Sequence, residues 1–240
     1  MKFKPLASSS AGNAYIVDDG ASRLLVECGV PYRRLKKLTS FDTASFCGCV
    51  MSHEHKDHAK CYADLIKNGV QVYATEGTAE ALECDAITPF QRLEEADKRR
   101  YRSASIGSFD VMPFATFHDA AEPVGFLIRS RTDGDRLLFA TDTVNLRYQI
   151  DGLNLIAIEC NYDDEILGRS THMPPKVVKR IRNNHMEVGR TCDYLKRLDL
   201  SRCRCVYLLH LSDACSNEGR MVGMVEYACP GVRVVACPKQ

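Results

Sequence analysis

The feature that most constrains this chain is a dense run of metal-binding side chains directly after a short apolar segment. Residues Phe46–Met51 are apolar and predict a buried strand. The next residues, Ser52–His58, contain an H-x-H-x-D-H run, and its candidate ligands are His53, His55, Asp57 and His58. Imidazole and carboxylate ligands suit zinc and manganese. The helical zinc-protease motif H-E-x-x-H is excluded, because Asp57 takes the place of its second histidine.

Three further candidate ligands stand where later strands are predicted to end. The segments Phe109–Phe117, Arg136–Ala140 and Cys205–Leu209 are predicted strands. The ligands that follow them are His118, Asp142 and His210. Continuous apolar strands indicate sheets that are covered on both faces, and the helices predicted between them supply the outer layers. Because every candidate ligand lies at or just beyond a strand end, we expect the ligands to converge at one edge.

The remaining pattern predicts further strands and helices. Residues Ala14–Val17 and Arg23–Cys28 predict a hairpin around the turn Asp18–Gly20. Further strands are predicted over Val70–Thr75, Val124–Ser130, Leu153–Ile158 and Val232–Cys237. Helices are predicted over Lys60–Lys67, Thr78–Glu83, Lys176–Arg182, Arg190–Arg197 and Glu218–Tyr227. No internal repeat or linker divides the chain, so we expect a single domain over residues 1–240.

The composition limits the classes of partner. With 45% hydrophobic residues, 26% charged residues and a net charge of +1, the chain is an ordinary globular protein. A nucleic-acid partner would therefore have to be bound by a local basic patch. No apolar stretch approaches the roughly 20 residues needed to span a bilayer, and Met1–Pro5 lacks the apolar region of a signal peptide. We expect a cytoplasmic protein without a membrane partner.

The twelve cysteines do not indicate a disulfide framework, because the chain is long and shows no export signal. None forms a C-x-x-C pair. The pairs Cys47/Cys49 and Cys203/Cys205 have C-x-C spacing, which puts both thiols on one face of a strand. We interpret the cysteines as small buried apolar side chains. A second zinc site or an iron–sulfur site is the alternative.

The ordered series of motifs resembles the metallo-β-lactamase fold superfamily, and the resemblance covers nearly the whole chain. Besides the histidine run, it rests on Ser8–Ala14, His118–Pro123, Thr141–Thr143 and His210–Ser212. These segments are most similar to the YycJ/WalJ group, nuclease-like relatives of ribonuclease Z. The resemblance implies an α+β fold, the four-layer αββα metallo-β-lactamase sandwich, and a metal-dependent hydrolase.

The resemblance further implies a cofactor of two divalent metal ions, with Zn²⁺ expected and Mn²⁺ as the alternative. The residues that would hold the first ion are His53, His55 and His118. The residues that would hold the second ion are Asp57, His58 and His210, and Asp142 would bridge the two. A hydroxide shared by the two ions would attack phosphorus. Asp57 is a candidate catalytic residue as well as a candidate ligand.

Three residues outside the ligand set receive supporting roles. Glu27 stands where the family commonly has aspartate, and either a hydrogen bond to a ligand histidine or a surface position is open. His185 matches in order a histidine that assists catalysis in ribonuclease Z-like enzymes, although a helix-capping or surface role is the alternative. The resemblance implies that Glu159 orients this histidine. His172 receives no role.

The fold hosts several reactions, so the substrate must be predicted from other residues. The spacing of Lys176, Lys179 and Arg180 puts them on one helix face as a phosphate track, and Lys98–Arg102 is a second basic run. Each run has a solvated surface as its alternative. Among Ser8–Asn13, the residues Ser10 and Asn13 are candidates for substrate binding, and a tight structural turn is the other interpretation.

These observations predict a dinuclear metal-dependent phosphodiesterase or nuclease. We expect an exonuclease-like enzyme whose substrate is single-stranded DNA or another nucleic acid. In the family, an aspartate at the position of Asp142 is typical of dinuclear members, whereas lactamases have cysteine or serine there. A small-molecule hydrolase, either a thioesterase or a lactonase, is the alternative, and a non-catalytic metal-stabilised binding module is a third hypothesis. The chain could form a homodimer.

Overall fold

Two mixed β-sheets face each other in the computed structural model, which describes residues 1–93, 100–170 and 173–239. In each sheet the order of the strands across the sheet is their order along the chain. The first sheet contains β1 (Lys2–Ser9), β2 (Gly12–Asp18), β3 (Arg23–Val26), β4 (Phe46–Val50), β5 (Val72–Ala74) and β6 (Thr88–Pro89). The second sheet contains β7 (Ala104–Ile106), β8 (Phe109–Ala115), β9 (Val124–Ser130), β10 (Arg136–Ala140), β11 (Leu155–Glu159), β12 (Cys205–Leu209) and β13 (Arg233–Ala236).

The helices lie between these strands in sequence. They are α1 (Tyr32–Leu38), α2 (Lys56–Ala59), α3 (Tyr62–Lys67), α4 (Glu76–Ala81), α5 (Asp164–Arg169), α6 (Pro175–Asn184), α7 (Val188–Leu195) and α8 (Glu218–Ala228). Within the described residues, no helix has both the length and the apolar character needed to cross a membrane.

Both sheets combine antiparallel and parallel pairs. The pairs β1/β2 and β2/β3 are antiparallel, and β3 to β6 are parallel. The second sheet is antiparallel from β7 to β10 and parallel from β10 to β13. Since parallel neighbours bring their carboxyl ends to one edge, the loops after β3, β4, β10, β11 and β12 can meet there.

The core between the sheets is built around packed aromatic side chains. The ring centroids of Phe3 and Tyr15 in the first sheet are 5.5 Å apart, and Tyr15 lies 5.2 Å from Phe139 of the second sheet. Such pairs contribute about 0.5–1.5 kcal/mol beyond their buried area. Side chains of both sheets belong to this one buried cluster, so the sheets pack face to face.

Helices cover the outer face of each sheet. Leu35 of α1 and Leu65 of α3 share a buried cluster with the first sheet. Leu195 of α7 and Met221 of α8 share another with the second sheet. The succession of helices, sheet, sheet and helices confirms the predicted α+β class and the αββα sandwich.

The strand β1 was not among the sequence predictions. Pro5 and the serines at its end favour a turn, but the segment pairs antiparallel with β2, with an irregular register between Pro5 and Ala7. Proline is tolerated here because β1 is the edge strand of its sheet, where one side of the backbone has no strand partner. The predicted hairpin is confirmed as β2 and β3.

The predicted helices are confirmed with shifted ends. The helix predicted over Lys176–Arg182 is α6, which begins at Pro175 because proline suits the first turn, where no backbone N–H is needed. Helix α7 begins earlier than predicted, at Val188, since the Glu187 side chain accepts a hydrogen bond from the backbone N–H of Arg190. The first residue of each helix thus depends on a local feature, a proline in the first turn or a capping side chain. The spacing of apolar residues does not reveal these features.

The cysteines are consistent with their interpretation as buried apolar side chains. All twelve are free thiols, and all except Cys47 and Cys84 are buried. No cysteine belongs to a group of potential metal ligands within the part of the chain that the structure describes. Burial in addition raises the pKa of thiols such as Cys28, which keeps them protonated.

Candidate metal centre

The histidine run lies in the loop that follows β4 and in the short helix α2. His55 occupies the position before α2, and Asp57 and His58 lie within that helix. The Ser52 hydroxyl contacts Nδ1 of His53 at 2.8 Å, which leaves Nε2 of this ring for another partner. His53 and His58 are fully buried, and His55 and Asp57 are half-buried. The run therefore contains two buried and two partly exposed candidate ligands.

A close backbone contact holds this loop against the first sheet. The backbone N–H of Cys28 donates to the carbonyl oxygen of His58 at 2.8 Å, and the N–H of Gly29 donates to that of Asn13 at 2.8 Å. The Asn13 amide in turn donates to the carbonyl oxygen of Asp57 at 3.1 Å. A Cβ on Gly29 would lie 1.6 Å from that same Asp57 oxygen. Glycine at this position is therefore required for the approach of the ligand loop.

We expect Gly29→Ala to displace Asp57 and His58, because the atom that a methyl group meets is backbone and cannot rotate away. The overpacking should cost about 1–3 kcal/mol of folding free energy, a fall of several degrees in Tm. Metal content per chain should fall with it. Calorimetry and elemental analysis measure both effects. Gly223→Ala is the matched control, since Gly223 lies inside α8 with open space around it, and this variant should keep its metal.

The structure brings the predicted ligands together in two groups. Within each group, one potential ligand atom from every member lies within 4.8 Å of the others. The first group is His53, His55 and His118. The second group is Asp57, His58, Asp142 and His210. The ligands come from both sheets and lie far apart in the sequence, so their convergence is a property of the fold.

Asp142, a member of the second group, also faces the first group. Its Oδ2 atom is 3.2 Å from Nε2 of His58, 3.6 Å from Nε2 of His118 and 3.8 Å from Nε2 of His53. Its Oδ1 atom is 2.7 Å from Nδ1 of His210. One carboxylate oxygen therefore faces members of both groups, which is the position required of a bridging ligand.

The donor atoms fit divalent metal ions. Nε2 of His53 and Nε2 of His210 are buried and have no hydrogen-bond partner among the described residues. Unpaired buried polar atoms are costly unless a ligand satisfies them. Nδ1 of His118 donates to the carbonyl oxygen of Asn184 at 3.1 Å, so the lone pair of this ring is on Nε2, which lies 3.2 Å from Nδ1 of His55 in the same group. Imidazole nitrogens and carboxylates in this arrangement would suit Zn²⁺ or Mn²⁺.

Of the two positions that the sequence left open for Glu27, the surface position is wrong, because the residue is fully buried. Its buried carboxylate lies 3.4 Å from Nδ1 of His58 and accepts from the backbone N–H of Ser52. The residue follows β3 with a left-handed φ of 63°, and Asp142 and His210 have φ values of 45° and 55°. Such backbone costs about 1–3 kcal/mol at each non-glycine residue and is common at functional sites.

Burial and neighbouring charges shift the pKa values of several residues of the site. Burial alone would raise the pKa of Asp142, but the charges of His210 and His58 outweigh it and hold that pKa well below its usual range. Burial alone would lower the pKa of His210, but the Asp142 carboxylate outweighs it and raises that pKa to about 10. For His53, burial and the neighbouring His58 charge hold the pKa well below its usual range. Metal binding would therefore release protons from this cluster.

His185 and Glu159 lie beside the metal ligands. Nδ1 of His185 donates to Oε1 of Glu159 at 2.7 Å. The second oxygen of this fully buried carboxylate accepts from the backbone N–H of Thr143 at 2.6 Å. The His185 ring lies 5.2 Å from the ring of His210 between centroids and 5.7 Å from that of His118. Glu159 thus fixes the ring of His185 at the edge of both ligand groups.

A cavity of about 1080 Å³ opens next to the ligands. His118 lines it together with the three basic residues of the predicted phosphate track, which are Lys176, Lys179 and Arg180. Ser10 and Asn13 do not line it, and the Asn13 side chain is fully buried, with Nδ2 at 3.2 Å from Nε2 of His58. Their role in substrate binding stays a prediction. Lys98, Arg99 and His172 lie outside the described residues.

Sequence reasoning missed two residues that support the ligands. The side chain of Asn161 donates to the carbonyl oxygen of His210 at 2.7 Å. The backbone carbonyl of Asn184 accepts from His118 and involves no side chain, so no sequence signal could reveal it. Asn161 could have been found, because it lies just beyond the buried end of β11, as the ligands do beyond their strands.

Comparisons with known proteins agree with this architecture. The protein-family model of the β-lactamase superfamily domain matches residues 22–210 of the sequence. Exodeoxyribonuclease YycJ of Bacillus anthracis is 30% identical over 227 residues, which cover 88% of this chain and 83% of the relative. Exodeoxyribonuclease WalJ of Streptococcus pneumoniae is 27% identical over 224 residues, which cover 88% of this chain and 81% of the relative.

Solved structures show the same fold. The metallo-β-lactamase fold protein YhfI from Bacillus subtilis superposes with a TM-score of 0.73 at 15% identity. The superposition covers 99% of this chain and 97% of the other. At this identity the likeness concerns the arrangement of the strands and helices alone.

Proposed function

Because the chain belongs to the β-lactamase superfamily, we propose that it is a metal-dependent phosphodiesterase that cleaves nucleic acid, with single-stranded DNA as its main substrate. It is a metal-dependent hydrolase by its family and its cluster of histidine and aspartate ligands. Two relatives along most of its length are named exodeoxyribonucleases, which supports cleavage from a strand end. We also propose that the protein is cytoplasmic, that it forms a homodimer and that residues 1–240 form one domain.

One observation favours a polyanionic substrate over a small neutral one. The predicted phosphate track, which we call the basic face of α6, consists of Lys176, Lys179 and Arg180. These residues line the same cavity as the candidate ligand His118. Among the described residues, no carboxylate forms an ion pair with Lys176, Lys179 or Arg180, whereas Arg182 pairs with Asp164 at 2.8 Å. Three uncompensated cations beside an anion-cleaving site can bind successive phosphates of a strand.

The residues of the two ligand groups would hold two divalent ions, with Zn²⁺ expected and Mn²⁺ as the alternative. Bound there, the ions would acidify water at neutral pH and neutralise charge on the phosphate oxygens. The protein itself positions the phosphodiester with the basic face of α6. It also encloses the candidate ligands, so that the donor atoms of each group stay close together.

His185 is the general acid in this proposal. Its Nδ1 atom is bound to Glu159, so Nε2 is the ring nitrogen left for the substrate. The ring is partly exposed, at 18% of its side chain, whereas Glu159 is fully buried. Nε2 can therefore donate a proton to the leaving oxygen of the cleaved strand, and the Glu159 carboxylate stabilises the charged imidazole before the transfer.

A substrate panel tests the proposal directly. The metal-loaded protein is incubated with end-labelled single-stranded DNA, double-stranded DNA and RNA, and with a thioester and a lactone. We expect the protein to shorten single-stranded DNA from one end and to do so faster than it shortens double-stranded DNA. Turnover of the thioester or lactone with every nucleic acid intact would instead establish the small-molecule alternative. No turnover of any substrate by the loaded protein would leave the non-catalytic binding module.

The basic face provides a second measurement on the same substrates. Lys179→Gln should reduce the salt dependence of DNA binding, with the slope of log K against log salt falling by about 0.7 because the variant neutralises one phosphate fewer. Lys37→Gln is the matched control, since Lys37 is exposed on α1, which covers the opposite sheet. An equal change in both variants would mean that only net charge matters and that α6 does not follow the strand.

A further inference from the structure

Phe117 lies at a position that is fixed relative to ligands from both groups. It directly precedes His118, and both residues line the cavity. Its backbone N–H donates to the hydroxyl of Thr143 at 3.1 Å, and the N–H of Val144 donates to its carbonyl oxygen at 3.1 Å. Thr143 and Val144 directly follow Asp142, the candidate bridging ligand. The aromatic ring is therefore tied through backbone contacts to the centre of the site.

The ring of Phe117 serves no evident purpose in the packing of the fold. It is half-buried and belongs to none of the hydrophobic clusters found in residues 1–93, 100–170 and 173–239. A phenyl ring left at the wall of a polar cavity exposes apolar surface that a planar apolar ligand could cover.

Arg147 covers one side of this ring. Its guanidinium carbon lies 4.5 Å from the ring centroid, and the residue is otherwise exposed. An aromatic ring backed by arginine presents a rigid stacking surface with a positive charge beside it. Proteins that bind single strands combine such surfaces for bases with cationic tracks for phosphates.

The lining of the same cavity includes such a track, the basic residues of α6. A cavity of about 1080 Å³ also has room for a nucleotide, since ligand sites of about 300–1,000 Å³ hold molecules of that size. We propose that Phe117 is the stacking site for a nucleobase next to the scissile phosphate, so that the enzyme binds the base as well as the backbone of its substrate. This inference rests on the proposed nuclease function and adds a base-binding subsite to it.

Abasic oligonucleotides test the subsite. The substrates are a short single-stranded DNA and matched versions in which one of the two nucleotides flanking the scissile phosphate lacks its base. For the unmodified protein, removal of the base at one of these positions should lower kcat/KM about 10-fold, mainly through KM, as expected when a single base no longer stacks. On the natural substrate, kcat/KM of the Phe117→Leu variant should be about 10-fold below that of the unmodified protein. On the abasic substrate, kcat/KM of the two proteins should differ by less than about twofold. Phe117→Tyr should restore the preference for the base.

Tyr227→Leu is the control for removal of an aromatic ring. Tyr227 is 87% exposed on α8 and does not line the cavity, so this variant should keep the base dependence of the unmodified protein. Equal rates of the unmodified protein on natural and abasic DNA would overturn the subsite while leaving the nuclease function intact. So would an equal loss by Phe117→Leu on both substrates. Failure of the unmodified protein to cleave any oligonucleotide would overturn the nuclease function and the subsite with it.

Discussion

Asp142→Ala is expected to remove both metal ions and to bring hydrolysis below detection. The Asp142 carboxylate faces His53, His118 and His58, which belong to different ligand groups, so its loss affects both positions at once. It also removes the carboxylate nearest to the buried His58 and His210, at 3.2 Å and 2.7 Å, which disfavours close packing of the imidazoles. We expect metal affinity to fall by at least about 100-fold, since even supporting residues outside the ligand set are commonly worth 10–100-fold.

Elemental analysis of the purified variant, together with the rate on single-stranded DNA, measures both effects. Asp163→Ala is the matched control, because Asp163 is also a buried acid but pairs with Arg220 at 2.6 Å. This control should keep two ions per chain even where it loses some thermal stability. Two tightly bound ions in the Asp142 variant would show that the carboxylate does not bridge and that each group binds its ion alone.

His185→Ala is expected to lower kcat by about 100-fold or more while both metal ions stay bound. Loss of a positioned general acid typically costs about 10²–10⁴ in rate. The ring is tilted against the rings of His118 and His210, and its hydrogen bond goes to Glu159 instead of to either of them. The metal content should therefore be insensitive to its removal, in contrast with the Asp142 variant.

The geometry also defines the outcome that would contradict this role. His185 and Glu159 form a third group of potential ligands with Asp142 and His210. A fall in metal content of the His185 variant would therefore make this imidazole a ligand instead of an acid. Arg182→Ala removes only an exposed ion pair on the neighbouring helix α6 and should leave both the rate and the metal content unchanged.

The sequence predicted which residues gather at the candidate metal site more completely than it predicted the boundaries of the helices and strands. Ligand atoms are carried by few residue types, and their order at strand ends identified His118 and His210 although these lie far apart along the chain. Helix α1 escaped prediction because it has only seven residues, so the spacing of Tyr32, Leu35 and Leu38 among basic residues gives a weak helical signal. The edge strand β1 escaped because its pairing with β2 is a tertiary contact that overrides the turn preference of its serines.

The supporting contacts were harder to predict for another reason. The contact of Glu27 with His58 depends on a left-handed residue after β3, and propensity does not favour that conformation for glutamate. The hydrogen bond from His118 to a backbone carbonyl of α6 depends on where that helix ends. Helix ends are among the features that are hardest to predict from a sequence. Residue identity therefore indicated the ligands, while their orientation required the fold.

Because the ligands extend from His53 to His210, the order of synthesis constrains when the site can form. A nascent chain has the first histidines early, but the last ligand emerges only after most of the second sheet has been made. Full metal loading therefore has to follow translation of residues 53 to 210, and a truncated product ending before His210 would retain an incomplete set of candidate ligands. The reactivity of the enzyme would thus appear only after most of both sheets has been translated.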